Sequence, residues 1–146
     1  MSNKMKSILV FDPGESTGWC YRDHEGQLKG GTAPKSHLQV ASLIISLRPD
    51  VVVLERFNLY PQMAKSLSWN SFYPCEVIGV IRYLCDDMTI PLVEQAPGVK
   101  KYYGGTQDDW WELKRRSIDR VTEHTKDAYM HYKYFLRNGA KKYGCL

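Results

Sequence analysis

Ile8-Leu9-Val10-Phe11-Asp12-Pro13-Gly14 is an apolar run that leads into an acid and a tight turn. The run predicts a buried β-strand over 7–11. Pro13 and Gly14 favour a turn directly after it, because proline fixes φ and glycine lets backbone approach closely. Asp12 therefore stands at the tip of a central strand, where a carboxylate is well placed to hold a divalent cation. A single acid is weak evidence, and such a site needs further ligands from later in the chain.

The composition is that of one globular domain. The chain has 146 residues, of which 43% are hydrophobic and 25% are charged, and these are ordinary values for a soluble protein with a real core. No apolar run approaches the ~20 residues of a membrane-spanning helix, and the first apolar run is too short for the core of a signal peptide. We therefore expect a cytoplasmic protein that has no membrane partner.

The cysteines are Cys20, Cys75, Cys85 and Cys145, and they form no Cys-x-x-Cys pair. This spacing argues against a structural zinc site. In a reducing compartment we expect free thiols, with the buried ones acting as small apolar side chains.

Basic residues are grouped along a chain of net charge +4. Such groups can neutralise phosphates, although a solvated helix face is an equally good explanation of each one taken alone. The groups are Lys100 and Lys101; Lys114, Arg115, Arg116 and Arg120; and Lys133, Arg137, Lys141 and Lys142, which no acid accompanies after Asp127.

Hydrophobic periodicity predicts an α/β protein with a mixed five-stranded sheet flanked by helices. Strands over 17–22 and 27–32 follow the first strand as an antiparallel meander, and a β-branched run over 51–54 predicts a strand that ends at Glu55. A helix is predicted near 37–47, and one or two helices over 67–85, where Pro74 lies either in a first turn or at a break. A short strand follows at 91–93. The remaining predictions are a helix from 106 through 120 and a last helix that Thr125 would cap.

Acids follow two strands that we expect to be central neighbours, so folding would bring Asp12 and Glu55 together. Asp127 is a third candidate, and His124 lies three residues before it, which on a helix puts both on one face. These four side chains are the candidate metal ligands, because Mg²⁺ or Mn²⁺ accepts such donors. Two ions ~4 Å apart would activate a water and stabilise the leaving oxygen in phosphodiester cleavage.

Each of these residues also has a structural explanation. Asp12 could stabilise a turn, Glu55 could be a strand-end acid paired with Arg56, and Asp127 could be a favourable charge at a helix N-terminus. A lone histidine such as His124 is more often structural. Their joint occurrence in this order of elements favours a site.

Four segments resemble motifs of the RuvC-type Holliday junction resolvases, in the order of that family and across nearly the whole chain. The opening motif is resembled by Asp12-Pro13-Gly14 with Thr17-Gly18, and the second acidic strand by Val53-Leu54-Glu55 with Phe57. The strand-to-helix segment is similar to Gln95-Ala96-Pro97-Gly98-Val99-Lys100 with Gly104. The final motif is resembled by His124-Thr125-Lys126-Asp127-Ala128. The combination is more specific than any one of them.

The resemblance implies a ribonuclease-H-like fold, a single nuclease domain over 1–146 and cleavage of four-way DNA junctions by a homodimer. The implied cofactor is Mg²⁺, which Mn²⁺ would replace, with two ions per active site. Asp12, Glu55 and Asp127 would be ligands, and His124 a fourth ligand or a proton-transfer group. Lys100 would face the scissile phosphate or the DNA backbone. The helix around 76–84 would carry the dimer interface.

Candidate DNA-binding residues follow the second acid and the basic groups. Phe57, Asn58 and Tyr60 match the position of the family's aromatic wedge, and a protein that opens a junction needs apolar side chains to offset lost base stacking. Backbone contacts would come from Lys101, Lys114, Arg115 and Arg116. Trp110-Trp111 and the additional acid Glu15 depart from the family pattern and fit a divergent, phage-encoded branch.

Three alternatives compete with junction cleavage. An actin-like ATPase or sugar kinase also uses an aspartate-glycine turn, but 146 residues leave no room for the lobe that closes over a nucleotide, so we expect no nucleotide cofactor. A nuclease of the same fold that acts on RNA or replication forks stays open. A non-catalytic module that binds branched DNA would lack one of the acids, and none is missing here.

Overall fold

The computed structural model describes residues 4–34, 37–57, 73–103 (for 101–103 the backbone only), 113–115 and 121–146. Within these ranges the strands are β1 Ile8–Asp12, β2 Ser16–Arg22, β3 Leu28–Pro34, β4 Val51–Glu55 and β5 Leu92–Gln95. The helices are α1 His37–Leu47, α2 Tyr73–Asp87 and α3 Glu123–Asn138. Two 3-10 segments span Pro97–Tyr103 and Ala140–Tyr143, and 113–115 are helical.

The strands form one mixed sheet in the order β3-β2-β1-β4-β5. β1, β2 and β3 pair antiparallel as the predicted meander, while β4 runs parallel to both β1 and β5. The predicted α/β class with a mixed five-stranded sheet is therefore confirmed. β1 lies at the centre of the sheet and β4 beside it, as the apolar runs indicated.

Both faces of the sheet are covered, which explains why β1 and β4 are apolar along their length rather than alternating. Leu9, Phe11, Val52 and Leu54 point to the face packed by α1 and α2. The intervening residues of the same strands point to the face packed by α3, whose Ala128, Tyr132 and Phe135 are buried there. The carboxyl ends of β1 and β4 are thus anchored in a core that covers both faces of the sheet.

The helices of the structure can be compared with those that the sequence predicts. The helix predicted near 37–47 is confirmed, and Pro74 lies in the first turn of α2, where a missing N–H costs nothing. The predictions for 67–72 and for most of 106–120 lie outside the described residues.

The predicted cap of the last helix was wrong. Thr122, not Thr125, is the N-cap of α3, because Thr122 is extended and its hydroxyl accepts a hydrogen bond from His124 N at 3.2 Å. Thr125 is the third helical residue, and its hydroxyl accepts from Thr122 N at 3.2 Å. The two threonines form a reciprocal capping box.

The same capping box joins α3 to the edge strand β3. The Thr125 hydroxyl donates to the carbonyl of Gly31 at 2.7 Å. The Thr32 hydroxyl lies 2.8 Å from that of Thr122 and 3.1 Å from that of Thr125. Since Thr125 is fully buried, these hydrogen bonds fix where α3 begins on the sheet.

Gly18 on β2 allows the first turn of α3 to rest directly on the sheet. A Cβ atom built on Gly18 would overlap the carbonyl group of His124. Only a residue without a side chain permits this approach, so the second glycine of the opening motif has a steric role that differs from the turn role of Gly14.

The cysteines and the possibility of a membrane-spanning helix were also considered in the sequence. All four cysteines are free, and Cys20, Cys85 and Cys145 are buried. No helix in the described ranges has both the length and the apolar character to cross a membrane.

Gly18→Ala should destabilise the protein by about 1–3 kcal/mol, because α3 must move to relieve the overlap. Gly79→Ala is the matched control, since a Cβ there would meet nothing within 4 Å, and it should stabilise α2 by about 0.5–1 kcal/mol. Urea unfolding followed by circular dichroism measures both. A Gly18→Ala variant as stable as the parent would mean that α3 does not approach β2 this closely.

Candidate active site

The carboxyl ends of three parallel strands place three polar side chains at one edge of the sheet. Asp12 ends β1, Glu55 ends β4 and Gln95 ends β5, and Glu55 is the direct register partner of Gln95. Phe11 of β1 pairs with Leu54 of β4 in parallel register, so Asp12 and Glu55 follow side by side. This is the arrangement that the sequence analysis expected for the two acids.

Helix α3 and the 3-10 segment after β5 complete the cluster. Lys100 Nζ lies 3.1 Å from Glu55 Oε2 and 3.6 Å from Asp127 Oδ2. His131 lies one helical turn after Asp127, and its Nε2 is 3.0 Å from Glu55 Oε2. The structure therefore brings Asp12, Glu55 and Asp127 together around one lysine.

The pKa values of the neighbouring Asp12 and Glu55 carboxyl groups shift in opposite directions. Burial, then the hydrogen bond and charge of Glu55, raise the pKa of Asp12 well above its usual range. Burial acts in the same direction on Glu55, but hydrogen bonds from His131 and Asp12 and the charge of Lys100 outweigh it and lower the pKa of Glu55. Asp12 is thus the carboxyl group of the pair that binds a proton more tightly, and Glu55 is the one that ionises more readily.

Lys100 supplies the positive charge of the cluster. Burial lowers its pKa, but the charges of Asp12, Glu55 and Asp127 raise it further, so the net pKa is raised. Its ammonium group therefore stays charged between two carboxylates. The sequence predicts a contact of Lys100 with DNA phosphate, and in the structure its side chain also reaches Glu55 and Asp127.

His131 and Gln95 are members of the cluster that the sequence analysis did not assign. His131 is completely buried, and its Nδ1 lies 2.8 Å from Gln95 Oε1. A signal was present, because His131 follows Asp127 by four residues and so shares its helix face. Gln95 stands at the end of a parallel strand, as Asp12 and Glu55 do.

His124 occupies a different environment from that of His131. Its side chain is exposed at the first turn of α3, while its backbone rests on Gly18. Within the described part of the chain, no hydrogen bond or ion pair joins the His124 imidazole to Asp12, Glu55 or Asp127. Its role as a metal ligand or proton-transfer group stays a prediction.

The structure describes some of the candidate DNA-binding residues. Phe57 is partly buried against the α1–α2 side of the core. Lys114 and Arg115 are exposed in the helical residues 113–115. Asn58, Tyr60 and Arg116 lie outside the described residues, as does the side chain of Lys101.

Among the residues that the structure describes, no group of three or more histidine, cysteine, aspartate or glutamate side chains has the arrangement of a formed metal site. The donor chemistry nevertheless suits a hard cation. Three carboxylates converge near Lys100, and burial, together with the hydrogen bond and charge of Glu55 and the charge of Asp127, raises the pKa of Asp12. Divalent ions such as Mg²⁺ prefer oxygen donors of this kind.

The fold is the ribonuclease-H-like fold of RuvC-type Holliday junction resolvases. The chain is similar to the structure of Thermus thermophilus RuvC in complex with a Holliday junction substrate, with a TM-score of 0.63 and 13% identity over 91% of this chain and 96% of that one. A second Thermus thermophilus RuvC structure gives a TM-score of 0.58 and 14% identity over 91% and 96% of the two chains. No protein-family model and no curated protein sequence matches the chain.

In the metal-free protein, Asp12→Asn and Glu55→Gln should change stability in opposite directions. Asp12 has a raised pKa, so its ionisation disfavours the folded state, and the neutral amide removes that cost. Glu55 has a lowered pKa, so its charge contributes stability above its unfolded pKa, and this stability is lost as the pH falls through the folded pKa. We expect shifts of at least about 1 kcal/mol each, since one pKa unit corresponds to about 1.4 kcal/mol.

Urea unfolding at pH 7 in EDTA measures both variants. Stability changes of the same sign would show that the pKa values of the two carboxyl groups are not shifted in opposite directions.

Proposed function

We propose that this chain is a single-domain, metal-dependent crossover junction endodeoxyribonuclease that cleaves four-way and other branched DNA. The observation that carries the proposal is the Asp12–Glu55 pair facing Asp127 at the carboxyl edge of a RuvC-like sheet. The similarity to a RuvC structure that contains a Holliday junction supports the choice of substrate.

Asp12, Glu55 and Asp127 would hold the cation, and His124 at the start of α3 is the proposed fourth ligand or proton-transfer group. The proposed cofactor is Mg²⁺, which Mn²⁺ would replace, at two ions per site. When bound, such ions activate a water and stabilise the leaving oxygen of the scissile phosphodiester.

The protein's own contribution begins with burial. Asp12 is 7% exposed and the Glu55 side chain 13%, so the acids act in a poorly solvated environment where charge interactions are strong. Lys100 is 26% exposed and would meet the phosphate from the solvent side. The cluster therefore presents one partly exposed cationic side chain beside two more deeply buried acids.

DNA would approach this edge of the sheet and contact Lys100. Phe57 lies two residues after Glu55 and, with Asn58 and Tyr60, is the proposed wedge between bases. Lys101, Lys114, Arg115 and Arg116 are the proposed backbone contacts. These assignments rest on sequence position and charge.

A homodimer would supply two sites for symmetric incision. The outer face of α2 supports this proposal, because Cys75, Gly79 and Tyr83 recur at helical spacing and are exposed. Tyr83 is 68% exposed, and a second copy of the chain on this face would cover it.

Asp12→Asn should reduce cleavage of a four-way junction by about 1000-fold or more and leave binding largely intact. The acid would hold a cation that contributes several kcal/mol in the transition state, whereas affinity comes from basic side chains. Gel assays of junction and linear duplex, with Mg²⁺ or with EDTA, measure cleavage and binding separately. Glu25→Gln, an exposed acid in the β2–β3 turn, is the control. Cutting by Asp12→Asn at the parental rate would refute the metal assignment.

Lys100→Ala should weaken junction binding and reduce the slope of log K against log salt by about 1. Lys141→Ala, which removes an exposed charge beyond the far end of α3, is the matched control and should leave the slope nearly unchanged. Fluorescence anisotropy over a salt series measures both slopes. Equal slopes for Lys100→Ala and the parent would show that Lys100 interacts with the acid cluster and does not contact DNA phosphate.

A further inference from the structure

His131 is a fully buried histidine whose two ring nitrogens both contact polar side chains. Its Nε2 lies 3.0 Å from Glu55 Oε2, and its Nδ1 lies 2.8 Å from Gln95 Oε1. Burying a polar ring is costly unless its hydrogen bonds are made. Here they are made to an acid of the cluster and to a side chain that has no other role in the proposed chemistry.

The direction of one hydrogen bond follows from the acid. A carboxylate that holds a cation is ionised and can only accept, so His131 Nε2, 3.0 Å from Glu55 Oε2, would carry the proton and donate to it. An amide offers both an acceptor and a donor, so Gln95 can satisfy Nδ1 in either tautomer. The result is a chain of hydrogen bonds from β5 through α3 to the acid that ends β4.

The geometry also fixes which oxygen is engaged. His131 Nε2 and Lys100 Nζ both contact Oε2 of Glu55, at 3.0 and 3.1 Å. Lys100 has a long, partly exposed side chain and can leave. His131 is 0% exposed on a helix packed into the core, so it holds that oxygen in place whether Lys100 is present or not.

We propose that His131, held by Gln95, is a positioning residue that orients the Glu55 carboxylate for a divalent cation. This inference rests on the proposed function, because it assigns Glu55 as a ligand. His131 does not touch the cation in this proposal, and it acts through Glu55 as an outer support of a metal ligand.

The test compares His131→Leu with His131→Gln. Glutamine keeps an N–H that can reach the place of Nε2, whereas leucine has similar volume and no donor. His131→Leu should weaken Mn²⁺ binding by about 10- to 100-fold, the usual cost of removing such a support, and His131→Gln should recover a large part of the loss. The free Mn²⁺ signal in electron paramagnetic resonance measures binding without any DNA or turnover.

Tyr132→Phe is the matched control on the same helix. It removes the buried hydroxyl that interacts with Arg22 on the side of α3 away from Glu55, so it should change thermal stability but not Mn²⁺ affinity. If His131→Leu does not fold, Gln95→Met replaces it, since that change removes the outer partner of the ring and should weaken Mn²⁺ binding several-fold.

The outcomes separate this inference from the proposed function. If the parent binds Mn²⁺ no better than Asp12→Asn, the metal site itself fails. If the parent binds Mn²⁺ and Asp12→Asn does not, the metal site stands and the variants of His131 decide the inference. The positioning role of His131 is then overturned if His131→Leu (or Gln95→Met in its place) binds Mn²⁺ like the parent. It is also overturned if His131→Leu and His131→Gln lose affinity equally.

Discussion

The site depends on the parallel pairing of β1 with β4. Parallel strands end at the same edge of a sheet, so this pairing places the carboxyl groups of Asp12 and Glu55 side by side in a region that water barely reaches. Two ionised carboxyl groups in such a place would repel each other strongly. The protein answers this repulsion with a raised pKa at Asp12 and with contacts of Glu55 to one lysine and one histidine. A buried cluster that needs this much compensation is characteristic of a functional site.

The two supports of Glu55 differ in kind. Lys100 comes from a 3-10 segment and is partly exposed, whereas His131 comes from the core-facing side of α3. One support can therefore respond to an arriving ligand, while the other stays fixed. In the proposed function, this division lets one acid keep its position while the local charge changes.

Much of this arrangement follows from local sequence rules, and the remainder follows from tertiary packing. The buried runs at 8–11 and 51–54 and the acids after them could be predicted, because apolar length and strand-end position are local properties. The helix at 37–47 could also be predicted, because hydrophobic periodicity is a local property too. The cap at Thr122 was missed because Thr125 also has capping chemistry, and only the contact with β3 distinguishes their positions. His131 was missed because a buried histidine on an apolar helix face is usually structural, and its contact with Glu55 joins residues 76 positions apart.

The hydroxyl bonds between Thr32, Thr122 and Thr125 have a consequence for how the molecule transmits motion. They couple an outer strand of the sheet to the helix that carries Asp127. A shift of that helix along its axis would have to break or drag these bonds, so β3 would sense the movement. Thr32 is in register with Gly18, which is in register with Asp12, so it lies two strands, roughly 10 Å, from that acid. Backbone amide resonances of Gly31 and Thr32 therefore report on the position of the helix when the bound ion is diamagnetic, as Mg²⁺ is.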